Sequence, residues 1–153
     1  MYKLEPISEK RLLRVEPRLA DCVRAAQGLL SYQVRVTCGL RTMAEQVFLY
    51  EQGKSRTLKS KHLASANGYS HAVDLVAMIQ DEPDWGSERF FEIADAMRRA
   101  AIQGNVRVTW GGIWEPCLND IDGPLPAYRN KYVAAFVKAR GRKPFFDAPH
   151  FQL

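Results

Sequence analysis

Three histidines, His62, His71 and His150, are the side chains of this sequence best suited to hold a metal. Each lies in a segment that also carries carboxylates or turn-forming residues. The C-terminal run Phe146-Asp147-Ala148-Pro149-His150-Phe151-Gln152 says most. Pro149 biases Ala148 towards extended backbone. His150 and Gln152 would then share one face of a strand, with Phe151 on the other. Asp147 lies just upstream, and a carboxylate beside a metal-activated water can serve as general base. The plainer alternative is an edge strand with a solvent-facing histidine. Asp74 stands among Ala72, Val73, Leu75 and Val76. A carboxylate in an apolar strand is costly to bury unless it is paired or metal-bound, and an arginine partner would satisfy it as well as a metal. His62, Asp74 and His150 together offer two imidazoles and one carboxylate. Zinc enzymes use three such ligands and keep a fourth position for water.

The segments that must position these groups alternate between helix and strand signals. Ser8 is placed to cap a short helix, which Pro17 interrupts or follows by opening a second one. Leu19, Val23, Ala26 and Leu30 recur at helical spacing. Residues 33–38 alternate as a strand does, with Val34, Val36 and Cys38 on one side. Thr42-Met43-Ala44-Glu45 is a capping box, and its helix should run to about Gln52 with Gly53 as its stop. Residues 54–70 read as a long loop, a length that usually signals a site. A mostly apolar strand follows over 72–78. Residues 87–103 form a strongly amphipathic helix with Gly104 past its end. Residues 106–110 read as a strand, 115–127 as loop, 128–139 as helix and 149–153 as a short extended segment. Helices and strands mix without a regular βαβ rhythm, so the class is α+β, a small antiparallel sheet flanked by helices.

With 153 residues the chain can build one core, and it is expected to be a single domain over 1–153. Apolar residues make up 46% and charged residues 25%, an ordinary globular balance. No apolar run approaches the ~20 residues a bilayer span requires, and the charged N-terminal stretch lacks the apolar centre of a secretory signal. A start in the cytoplasm and no stable membrane insertion are therefore expected. Cys22, Cys38 and Cys117 are odd in number and lack CxxC spacing, which argues against a disulfide framework or a cysteine zinc site. The net charge of +5 favours approach to a polyanion. No aromatic residues interleave with the basic clusters in a nucleic-acid-binding pattern, so nucleic acid is not an expected partner.

The stretches CGLRTMAEQVFLYEQGKS, SKHL, HAVDLVA, WGGIW and DAPHFQL resemble, in order, the phage-endolysin branch of the LAS zinc peptidases. That group includes L-alanyl-D-glutamate endopeptidases and D-alanyl-D-alanine carboxypeptidases and shares its fold with the hedgehog signalling domain. The resemblance implies that His62, Asp74 and His150 hold zinc and that Asp147 is the base. It implies that Arg41 steadies the oxyanion. It matches Ser60, Gln46, Trp110 and Trp114 to positions at the substrate cleft. The family usually places six residues between its first histidine and its aspartate, whereas eleven separate His62 from Asp74, so about five residues within 64–70 must bulge out. Ser70 replaces the family's glycine. His71 rivals His62 as first ligand, but positions three apart on one strand face opposite ways, which favours His62. A longer connection, within 115–145, should form an extra lobe beside the cleft.

The function this implies is zinc-dependent hydrolysis of murein stem peptides, at the L-Ala–D-Glu bond, by a phage or prophage endolysin. The runner-up is a D-Ala-D-Ala carboxypeptidase. A reading from another class is a non-catalytic hedgehog-like zinc module or a basic polyanion binder. The implied partners are the peptidoglycan peptide and a holin that opens the inner membrane. The protein is expected to be a monomer made in the host cytoplasm and acting in the periplasm.

Overall fold

The computed structural model describes residues 2–153. In chain order the elements are α1 (Pro6–Leu12), α2 (Pro17–Gly28), β1 (Gln33–Cys38), α3 (Met43–Glu51), β2 (Ala72–Ile79), β3 (Glu82–Asp84), α4 (Ser87–Gln103), β4 (Thr109–Trp110), α5 (Leu125–Arg140) and β5 (His150–Gln152), with a 3-10 turn at Leu118–Asp120. The strands form one antiparallel sheet in the order β1-β2-β5-β4, with β3 paired to β2. This is the α+β arrangement that the sequence implies. Helix α1 packs on β1, α4 on β2, and α2 on α4. Leu12, Leu19, Val36, Leu75, Ile93, Met97 and Phe151 are buried in the resulting core.

Local chemistry explains most boundaries. Pro17 occupies the first turn of α2, and Glu16 caps it by accepting from the amides of Arg18 and Leu19. Thr42 and Glu45 form the full capping box of α3. Ser8 departs from expectation. It lies inside α1, wholly buried, and its hydroxyl accepts from the Val36 amide, so it joins α1 to β1 rather than capping a helix. The 106–110 strand is also shorter than its sequence suggests. Asn119 bonds the Val108 amide and the Val106 carbonyl in the place of a neighbouring strand, leaving only Thr109–Trp110 in the sheet. Helix α5 begins three residues before the expected Tyr128 because Pro126 is tolerated in its first turn.

Two features of the sheet prepare the site. A bulge between Val36 and Cys38 shifts the register so that Cys38 faces Asp74, and Asp74 in turn faces His150. Directly opposed residues on neighbouring antiparallel strands project to the same face. Cys38, Asp74 and His150 therefore form one row across three strands. The other feature is Gly111. Its carbonyl accepts from the Asp147 amide at 3.0 Å and its amide donates to the His150 carbonyl at 2.8 Å. A Cβ there would stand 2.2 Å from the Asp147 carbonyl oxygen, so only glycine admits this approach. Gly111→Ala should leave the fold recognisable by circular dichroism yet displace the Asp147–His150 turn. Unchanged NMR shifts of the Asp147 and His150 amides in that variant would show that the turn is not held this way.

Candidate active site

His62, Asp74 and His150 converge although they lie in a loop and in two strands. His62 Nε2, Asp74 Oδ1 and His150 Nδ1 are each 3.2 Å from the other two. The outer atom of each ring is already engaged. His62 Nδ1 lies 2.8 Å from the Gly39 carbonyl and must donate to it. His150 Nε2 lies 2.9 Å from the Gln152 amide oxygen and donates there. In the neutral rings these bonds leave both inward nitrogens as lone pairs. Two lone pairs and a carboxylate oxygen facing one another repel unless a cation stands between them. Ligands of a tetrahedral zinc at about 2.0–2.1 Å lie about 3.3 Å apart, so the 3.2 Å triangle and its donor set fit that ion.

The electrostatics agree. Burial works against charge on His62, yet the Asp74 carboxylate overcomes it, with a smaller push from Cys38, and raises the imidazole to about 10. Burial also opposes the Asp74 charge, but the two imidazoles outweigh it and hold that carboxyl well below the usual carboxylate range. A proton thus takes the cation's place in the metal-free protein. His62, raised from 6.5 to about 10, stabilises the fold fully below about pH 6.5, and that contribution is lost as pH rises through 10. Chelator-treated protein should therefore lose denaturant resistance steadily between pH 6.5 and 10, and metal-loaded protein should not. Equal midpoints for the chelator-treated protein at both ends of that window would contradict this charge state.

His71 is elsewhere. Its ring lies 3.1 Å from the Ser65 hydroxyl, and its amide donates to the Lys61 carbonyl at 2.9 Å. That backbone bond closes the 62–71 excursion at its base, and a Ser65–Tyr69 bond closes it again further out. The extra residues bulge out within that excursion. Ser70 is buried and pinned between the Arg14 carbonyl and the Glu16 amide. Cys38 is another soft donor nearby, its sulfur within 4.8 Å of the His62 and Asp74 ligand atoms. That sulfur contacts the Gly39 carbonyl and Arg41 Nη2, and the tighter triangle favours His150 as third partner.

Asp147 and Arg41 flank the triangle in a cleft of about 490 Å³ that His62, Asp74 and His150 also line. Burial and the neighbouring Asp74 charge push the Asp147 carboxyl above its ordinary value. Arg41 Nη2 lies 3.8 Å from Asp74 Oδ2. Ser60 lines the cleft, and its hydroxyl accepts from the His62 amide. Trp114 lines it too, its ring centroid 5.6 Å from that of His150. A hollow of about 670 Å³ beside α3 shares only Arg41 and Leu49 with this cleft and lacks the triangle.

Two residues matched to the cleft stand behind it instead. Gln46 is fully buried. It accepts from Arg41 and donates to the Ser55 hydroxyl and the Thr57 carbonyl, which fixes the guanidinium and ties down the basic loop. Trp110 is fully buried as well and donates to the Ala148 carbonyl at 2.7 Å. Substrate cannot reach either one; Gln46 positions Arg41, which lines the cleft, and Trp110 holds the Ala148 carbonyl between Asp147 and His150. Gln152, which fixes the His150 tautomer, was visible in sequence only as a residue two places on and on the same face.

The sequence model of the phage L-alanyl-D-glutamate peptidase family matches residues 1–123. The chain belongs to this family. A curated relative, the L-alanyl-D-glutamate peptidase of Escherichia phage T5, is 28% identical over 117 residues, 74% of this chain and 82% of the relative. The crystal structure of the Serratia marcescens L-Ala D-Glu endopeptidase ChiX superposes with a TM-score of 0.71 at 32% identity, covering 99% of this chain and 90% of that one. The family match ends two residues before α5 begins. His62, Asp74 and Arg41 thus fall inside the matched region. Asp147 and His150 fall beyond it, within the stretch that ChiX covers.

Proposed function

We propose that this peptidase hydrolyses the L-Ala–D-Glu bond of murein stem peptides with a zinc ion held by His62, Asp74 and His150. The observation that carries the reading is the 3.2 Å triangle of lone-pair atoms with Asp147 and Arg41 beside it. Zinc bound there supplies Lewis acidity, lowering the pKa of water and polarising a carbonyl. Asp147 accepts the proton of the attacking water and passes it to the leaving amine. Its raised affinity for protons suits both halves of that transfer. Arg41, fixed by Gln46, offers positive charge where the oxyanion develops. Ser60 and Trp114 contact the peptide from the cleft wall.

The names of the phage T5 and Serratia relatives support this choice of bond. On this reading the chain is one zinc peptidase domain over 1–153 with inserted segments near 64–70 and 115–145, acting as a monomer. It is an endolysin that leaves the host cytoplasm for the periplasm once a holin has opened the inner membrane. Among the described residues no helix is long and apolar enough to cross a membrane. Digestion of purified murein with mass analysis of the fragments tests the bond. Peptides with a new N-terminal D-glutamate are the expected product. Release of free D-alanine alone would make the protein a carboxypeptidase.

A further inference from the structure

A second cavity of about 410 Å³ adjoins the reaction cleft. The two share Arg56, Trp114 and Phe145 as a common wall. That wall is built to stay in place. Trp114 stacks on Phe145 at 6.3 Å with 14° between the rings, and its indole N–H donates to the Phe145 carbonyl at 2.8 Å. The Arg56 guanidinium lies 4.4 Å over the Phe145 ring. The far side comes from α5 and the segment after it, with Phe136 and Tyr132 for its apolar surface and Arg140 and Arg142 for its charge. Arg142 stands 5.7 Å from the Phe136 ring centroid. Glu115 is the one acidic side chain of the lining against three arginines, so the cavity is net positive. Even with Trp114 and Arg56 packed on it, Phe145 remains 39% exposed, a large apolar ring beside a reaction cleft.

We infer that this cavity is a substrate subsite for the peptide on the leaving-group side of the scissile bond, and that Arg140 and Arg142 bind the free carboxylates of the residues that follow D-Glu. The inference rests on the proposed murein peptidase activity. Charge selects the side. Towards the glycan, the carboxyl that carries L-Ala is consumed in an amide. Beyond the bond, D-Glu is joined through its side chain and keeps a free α-carboxylate, and the residues after it carry more. Guanidinium groups bind carboxylates through paired, charge-assisted hydrogen bonds, and the aromatic surface takes the aliphatic stem between them. Tyr132, Phe136, Arg140, Arg142 and Phe145 all lie beyond residue 123, where the family match ends. Asp147 and His150 lie in the same C-terminal stretch, so the subsite is built next to the catalytic centre by the segment that completes it.

The test compares three synthetic substrates: L-Ala-D-Glu alone, the same dipeptide extended through the D-Glu side chain by a diaminopimelyl-D-Ala unit with free carboxylates, and that extended peptide with the carboxylates beyond D-Glu amidated. Wild-type protein should cut the free-acid peptide with a KM about tenfold below that of the amide, since partly exposed charged hydrogen bonds are worth that order. The double variant R140Q/R142Q should lose this advantage, raising KM on the acid only and keeping kcat. Its cleavage of the dipeptide should match wild type. Equal KM values for acid and amide in the wild type would overturn the inference, as would an equal loss on both substrates in the variant. So would an advantage that appears only when a muramyl sugar is attached to L-Ala, since that places the glycan in the cavity. Failure to cut the L-Ala–D-Glu bond in any of these peptides, or in intact murein, would instead overturn the activity itself.

Discussion

Replacing Asp147 by asparagine is expected to lower turnover by roughly 10³-fold while leaving metal content unchanged. The asparagine keeps the shape and the backbone bonds to Gly111 but cannot accept the proton. The carboxyl it replaces is half-buried beside the Asp74 charge, so removing it relieves a like-charge contact. The variant should therefore be at least as resistant to denaturant as the parent. This combination separates a catalytic carboxylate from a structural one, which would show up first as lost stability. Retention of more than a tenth of the parent rate would remove Asp147 from the role of base. Loss of the metal would make it a ligand.

The larger effect is expected at His150. His150→Ala takes away one corner of the triangle, and both bound metal and measurable activity should disappear. The neighbouring Trp114 then loses the ring it stands against, so some loss of thermal stability should accompany the change. His71→Ala is the control. That ring is bonded to Ser65 outside the cleft, and its loss should leave metal and rate near those of the parent. Metal analysis and murein clearing on the two variants decide between them. Clearing by His150→Ala, or loss of metal from His71→Ala, would reverse the assignment.

The chemistry of the site was easier to read from the sequence than its support. His62, Asp74 and His150 stood out because histidines are few and a carboxylate in an apolar strand demands a partner, and the resemblance carried by SKHL, HAVDLVA and DAPHFQL implied their role. Long-range placement was not legible. The register shift between Val36 and Cys38 that aligns Cys38 with Asp74 leaves no mark in an alternating pattern. The hairpin joining β2 to β3 turns through Gln80 and Asp81, both at positive φ, where the usual signal would be Asn-Gly. Asn119 in place of a strand partner and Ser8 as a tie to β1 depend on residues distant in sequence. Gln46 and Trp110 show the same limit. Their matched positions were sound guides to the neighbourhood of the site, but only burial reveals that they act through Arg41 and the Ala148 turn. Nor did the eleven-residue spacing between His62 and Asp74 show how the extra residues are accommodated, in an excursion that the Lys61–His71 backbone bond closes.

Zinc content and murein clearing, measured on one preparation before and after chelation, test the central claim most directly. The expected result is one zinc per chain, clearing that chelator abolishes, and recovery when zinc is returned. Folded protein that binds no zinc, or that clears murein equally well after chelation, would contradict it.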